Sequence, residues 1–226
     1  MCSALTAQAG GLNLSWDHCY SDGTPVSNKS FACVSNVGEE VLVASFVPSV
    51  PYSGMVRFTS GLEIQAATNS TFPAWLLAGG CAEAALQVGG FMPGTDVNCH
   101  DWTGLGGTGV TITGYNYPAG DPRREIIKIA SADLNFPGSS LQANVEYLAF
   151  RLRISHNALA GPGACGGCSL PLTIALNIVS GSGFSPSSFS LILPVSGTSN
   201  QVLWQSSGGP TAARSMTWSA VKSLYR

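Results

Sequence analysis

The sequence predicts an all-β protein: a two-sheet antiparallel sandwich, jelly-roll-like, with one short helix at the C-terminus. Three observations carry this expectation. Only 10% of the 226 residues are charged, against roughly 25% in an ordinary soluble domain, while 45% are hydrophobic, ample for a core. Gly numbers 27 and Pro 13, which suits short strands joined by tight turns and argues against a helical bundle. Several segments alternate apolar and polar residues with period two, as strands with one buried face do.

In chain order, strands are expected at Leu12 to Trp16, Ser30 to Val34, Val41 to Val47, Met55 to Ala66, Ala84 to Val88, Val110 to Thr113 and Glu125 to Ser131. Further strands follow at Val145 to Ile154, Leu170 to Val179, Phe189 to Leu193 and Val202 to Gln205. The clearest is Val145 to Ile154, where Leu148, Phe150, Leu152 and Ile154 fall on one face and Ala149, Arg151 and Arg153 on the other. In Leu170 to Val179, Leu172, Ile174, Leu176 and Ile178 make a face in the same way. These two strands are expected to pair as neighbours across the loop from Gly161 to Cys168. Turn signals such as Pro93-Gly94, Pro137-Gly138 and Gly208-Gly209-Pro210 separate the strands. The helix is expected from Thr217, a capping residue, with Trp218, Val221, Leu224 and Tyr225 on one face and Lys222 and Arg226 at its end.

Residues 10–226 read as one domain. Residues 1–9 read as the remnant of a signal peptide, because Ala7-Gln8-Ala9 has the small-x-small form of a signal-peptidase site. Of the seven cysteines, Cys2 falls in that leader and six remain, an even number suited to an oxidising compartment. Proximity favours the pairs Cys19 with Cys33, Cys81 with Cys99, and Cys165 with Cys168. The first two would stabilise by about 3 kcal/mol apiece through loop closure. An exported location follows: extracellular, cell-surface or periplasmic. No run of about 18 apolar residues suggests a membrane-spanning helix, and a formal net charge of −2 offers no cationic surplus for nucleic acid.

Motifs with chemical meaning are each outweighed by context. Gly104-Leu-Gly106-Gly-Thr-Gly109 has the letters of a dinucleotide fingerprint, but a strand-like Val110-Thr-Ile-Thr follows where a helix must begin. Cys165-Gly-Gly-Cys168 has redox spacing but leads into a strand, without the helix that activates a thiol. The six cysteines with His18, His100 and His156 lack the two paired clusters of a zinc site, and Asp17, Asp22, Asp96 and Asp101 lack a calcium-loop pattern. No cofactor or metal is expected.

A glycosidase needs two carboxyls about 5 to 9 Å apart, and Glu63, Glu125 and Glu146 are the acids within strands that could supply them. The stretch from Trp102 to Arg124 is the best candidate ligand surface: Trp102, Tyr115 and Tyr117 sit in Gly-rich sequence with Asp121 and Arg123, a mixture suited to stacking on a glycan or anchoring a protein. The first functional expectation is therefore a non-catalytic exported or cell-surface protein, binding or structural. The second is a secreted hydrolase using paired carboxylates.

Gly11-Leu-Asn-Leu-Ser-Trp-Asp17 followed by Cys19 and Cys33, with Pro73-Ala-Trp75, Glu146-Tyr-Leu-Ala-Phe-Arg151, the Cys165-Gly-Gly-Cys168 loop and terminal Thr217-Trp218 to Lys222-Ser-Leu-Tyr-Arg226, resembles a family of exported bacterial β-sandwich proteins of no known activity. The resemblance implies a bacterial envelope or secreted setting and paired cysteines. It brings no catalytic residue.

Overall fold

The protein is seen here as a computed structural model that describes residues 11–22, 24–66, 85–90, 99–102, 108–116, 123–133, 138–157, 159, 161, 163–183, 190–192 and 200–206. The expected C-terminal helix and leader remnant lie outside the described residues.

Among these residues the strands are β1 (Gly11–Trp16), β2 (Asn28–Lys29), β3 (Glu39–Val47), β4 (Tyr52–Ala66), β5 (Leu86–Gly89), β6 (Thr108–Asn116), β7 (Arg124–Asp133), β8 (Ser139–Leu141), β9 (Tyr147–Ser155), β10 (Leu172–Gly183), β11 (Ser190–Ile192) and β12 (Gln201–Trp204). They form two sheets. One runs β1-β3-β9-β5, and the other runs β2-β12-β10-β4-β7-β6, with β11 added to β10 and β8 to β4. All pairings are antiparallel except the short parallel pair of β2 with β12. The fold class is thus the all-β sandwich that composition and periodicity predict.

The inner faces supply the core. Leu12, Leu14 and Trp16 of β1, Leu42, Ala44 and Phe46 of β3, and Phe150, Leu152 and Ile154 of β9 meet Phe58, Leu62 and Ile64 of β4, Ile127 and Ile129 of β7, and Leu172, Ile174 and Leu176 of β10. Trp16 donates its indole N–H to the Leu203 carbonyl at 3.0 Å, so a polar atom crosses the core without being stranded.

The two clearest strands depart from the expected pairing. β9 lies in the four-stranded sheet and β10 in the eight-stranded one, so they are not neighbours. The connection between them changes sheets, and Cys168 within it is bonded to Cys33. Each strand also carries a register shift that breaks its period-two pattern. In β9, Ala44 pairs with Phe150 but Ser45 with Leu148, which leaves Ala149 as the extra residue. Leu148 consequently leaves the face of Phe150 and packs with Val43, Cys19 and Cys99 in a small second cluster. The bulge keeps its polar atoms paired, because Ser131 of the opposite sheet donates its hydroxyl to the Ala149 carbonyl at 2.7 Å. In β10, Leu176 pairs with Leu62 but Ile178 with Gly61, so Asn177 is extra and Val179 instead of Ile178 joins the main core. Ile178 crosses Gly61 so closely that a Cβ there would meet its Cγ2 at 2.9 Å.

The strand expected from Ser30 to Val34 is not formed; pairing stops at Lys29. A side chain replaces the neighbouring strand. Gln205 accepts from the Phe31 N–H at 3.2 Å and donates to the Phe31 carbonyl at 2.8 Å, satisfying backbone groups that a ladder would otherwise take.

Candidate functional site

The three proximity pairings of the cysteines are overturned. Cys19 is bonded to Cys99 and Cys33 to Cys168, across sequence separations of 80 and 135. Cys165 is also disulfide-bonded, but not to Cys168. Cys81 lies outside the described residues. Proximity in sequence fails because the sandwich brings chain-distant loops together at its ends, whereas Cys165 and Cys168 sit in a turn that leaves each free to bond elsewhere. With Cys19, Cys33, Cys99, Cys165 and Cys168 in disulfides, none of them offers a thiolate to a metal. Among the described residues no three His, Cys, Asp or Glu side chains converge as ligands.

The expected ligand surface is altered in the same way. Trp102 is 3% exposed, its ring edge-on to Phe58 with centroids 4.7 Å apart. Tyr115 pairs with core residue Ile127 and packs against the core. Both rings serve packing because Trp102 follows a bridge that docks His100 on Tyr147, and Tyr115 has the inward parity of its strand. Arg123 is half-buried, its carbonyl accepting from the Ala66 N–H at 2.9 Å. Tyr117 and Asp121 lie outside the described residues.

The strand carboxylates occupy three different layers. Glu63 has core residues Leu62 and Ile64 on either side and so faces outward from the eight-stranded sheet. There Arg124 holds it in a forked ion pair at 2.7 and 2.8 Å, and Asn177 donates to it at 2.8 Å. Glu125 is fully buried and shares the inward parity of Ile127 and Ile129. Glu146 is buried against the outer side of the four-stranded sheet. It accepts from Asn13 at 3.4 Å, from the Tyr20 and Ser21 N–H groups at 3.2 and 2.9 Å, and from the Ser45 hydroxyl. Glu146 is therefore an anchor for the turn that carries Cys19, and the three acids do not converge on one reacting atom.

A different set of residues does converge, at the end of the sandwich where β1, β2 and β3 meet. Lys29 Nζ lies 2.6 Å from Asp17 Oδ2 and 2.9 Å from Glu40 Oε2. The other oxygen of Glu40 is 2.9 Å from His156 Nε2, and His156 Nδ1 faces the Val37 carbonyl at 3.1 Å. An aromatic wall backs the group: His156 stacks on Phe31 at 4.3 Å, Phe31 meets Trp204 edge-on at 4.9 Å, and Trp204 packs on Trp16 at 5.8 Å.

Local structure explains each position. Asp17 follows β1 in a left-handed conformation, φ 66°, which Asp tolerates better than most residues. Its N–H is held by the Val41 carbonyl at 2.8 Å. Glu40 points inward because it shares the parity of Leu42 and Ala44, and burial of its charge demands the partners it has. Gly38, at φ 115°, passes beside the imidazole, where a Cβ would come within 3.1 Å of Nδ1. Burial would lower the Lys29 pKa, but hydrogen bonds and charge from Asp17 and Glu40 outweigh it and hold it above the ordinary lysine value. Sequence reasoning missed this cluster because its members span positions 17 to 156. Their only local signals were a Lys in a strand end and an acid, Glu40, at an apolar parity.

No protein-family model matches the chain, and no curated protein is detectably similar to it.

Proposed function

We propose that the protein is a non-catalytic β-sandwich exported by a bacterium, with a structural role in the envelope or beyond the cell. The observation that carries this reading is the use of the polar residues. Glu63 and Glu146 are occupied by structural partners on opposite outer faces, and the aromatic ring best suited to ligand stacking, Trp102, is in the core. Two disulfides between chain-distant residues, Cys19–Cys99, which is buried, and Cys33–Cys168, favour an oxidising compartment. No helix among the described residues is long and apolar enough to cross a membrane. Of the two non-catalytic roles, binding and structure, the buried Trp102 favours structure.

The test combines fractionation with turnover. Cells treated with a thiol-blocking reagent before lysis should yield the protein outside the cytoplasmic fraction with Cys19, Cys33, Cys99 and Cys168 unmodified. Purified protein should show no hydrolysis of a chromogenic glycoside panel. Cytoplasmic recovery with free thiols, or turnover abolished by Glu63→Gln or Glu146→Gln, would overturn the proposal.

A further inference from the structure

The cluster of Asp17, Lys29 and Glu40 holds the three groups that amide formation between side chains requires: an amine, a carboxyl in contact with it, and a second acid to move protons. We infer that Lys29 and Asp17 become joined by an intramolecular isopeptide bond, with Glu40 as the proton-transferring group.

The first support is proximity. Lys29 Nζ touches Asp17 Oδ2 at 2.6 Å, and the carboxyl carbon is one bond beyond. Held this way, the reaction is unimolecular, and effective molarities for well-placed intramolecular partners reach about 10⁵ to 10⁸ M. Glu40 provides the second support. Its Oε2 is 2.9 Å from the same Nζ, and its side chain is 8% exposed against 24% for Lys29 and 36% for Asp17. It is held from behind by His156, so it is a fixed group and not a passing surface partner. The third is the setting, since a wall of packed rings stands behind Glu40: its partner His156 stacks on Phe31, Phe31 meets Trp204 edge-on and Trp204 packs on Trp16. A surface ion pair needs neither a buried third acid nor this wall.

The step balances without any added reactant. In the ion pair the amine carries its proton and is not a nucleophile, so Glu40 accepts that proton first. The freed Nζ lone pair attacks the Asp17 carboxyl carbon, forming the N–C bond. Glu40 returns that proton to the carboxyl oxygen and then relays a second one to it from the newly bonded nitrogen, the C–O bond breaks with its electron pair on oxygen, and water leaves. An ammonium and a carboxylate become an amide and one water, with no change of oxidation state.

The product would be a cross-sheet staple. Asp17 extends β1 of the four-stranded sheet, whereas Lys29 ends β2 on the edge of the eight-stranded sheet. The parallel pair of β2 with β12 has only two registered positions, Leu203 with Asn28 and Trp204 with Lys29. A covalent tie at Lys29 would secure that edge.

The experiment is mass analysis of the full chain after complete denaturation and reduction. Lys29 is the first lysine or arginine in the sequence and Arg57 the next, so trypsin should fail to cut after Lys29 and release a fragment extending to Arg57. Chymotryptic cleavage after Tyr20 should leave the segments bearing Asp17 and Lys29 joined. The intact mass should fall short of the sequence mass by one water. Glu40→Gln should restore the full mass and tryptic cleavage in at least tenfold greater yield, and Lys29→Arg should restore the full mass. A wild-type chain of full mass overturns the inference without reference to any variant. So does loss of water with the Asp17 and Lys29 segments separable, which would indicate dehydration at Asp17 alone.

Discussion

Trp102 illustrates how a residue's role depends on what surrounds it. In sequence it stands beside Gly-rich polar residues and invites a binding role. In the fold it fills the space beside Phe58. Trp102→Ala should accordingly destabilise the protein by about 3 to 5 kcal/mol, measured by denaturant unfolding; unchanged stability would return the ring to the surface. Glu146 and Ser131 show the complementary principle for polar groups. Each is buried, and each is tied to backbone atoms that would otherwise be unsatisfied: Glu146 to the N–H groups of Tyr20 and Ser21, Ser131 to the bulged Ala149 carbonyl.

At the scale of elements, period two identified most strands, including β1, β3, β4, β7, β9 and β10, within a few residues of their ends. It could not show where the period slips. A bulge costs one residue and reverses every side chain beyond it, and nothing local in Phe150-Ala149-Leu148 or Leu176-Asn177-Ile178 marks the slip. Both sit where the strands are buried on their two faces, so an apolar residue is acceptable on either side. Close packing after the β10 bulge is testable at Gly181, where a Cβ would lie 2.7 Å from Cε1 of Phe58. Gly181→Ala should destabilise by about 1 to 3 kcal/mol. Gly109→Ala on β6, where a Cβ meets nothing within 4 Å, should change stability by less than about 0.5 kcal/mol. Equal effects at the two sites would contradict the packing described for β10.

For the whole molecule, the disulfides dominate. Non-reducing peptide mapping should recover Cys19 with Cys99 and Cys33 with Cys168, and not the sequence-adjacent pairs. Loops of these lengths are worth about 4 to 5 kcal/mol each on the chain-entropy model. Reduction should therefore lower the melting temperature sharply, and an unchanged melting temperature would show that the bridges close loops already ordered in the unfolded chain. Composition and periodicity, which are local and additive, determined by themselves that this chain is a β-sandwich and where most of its longer strands lie, and the even cysteine count beyond Cys2 that most of its cysteines are paired. Only the tertiary structure decided which cysteines meet, that β9 and β10 belong to different sheets, that Trp102 is core, and that Asp17, Lys29, Glu40 and His156 share one site. Those four outcomes depend on contacts between residues far apart in the chain, set by sheet assignment and loop crossing, and no periodicity along the chain encodes them.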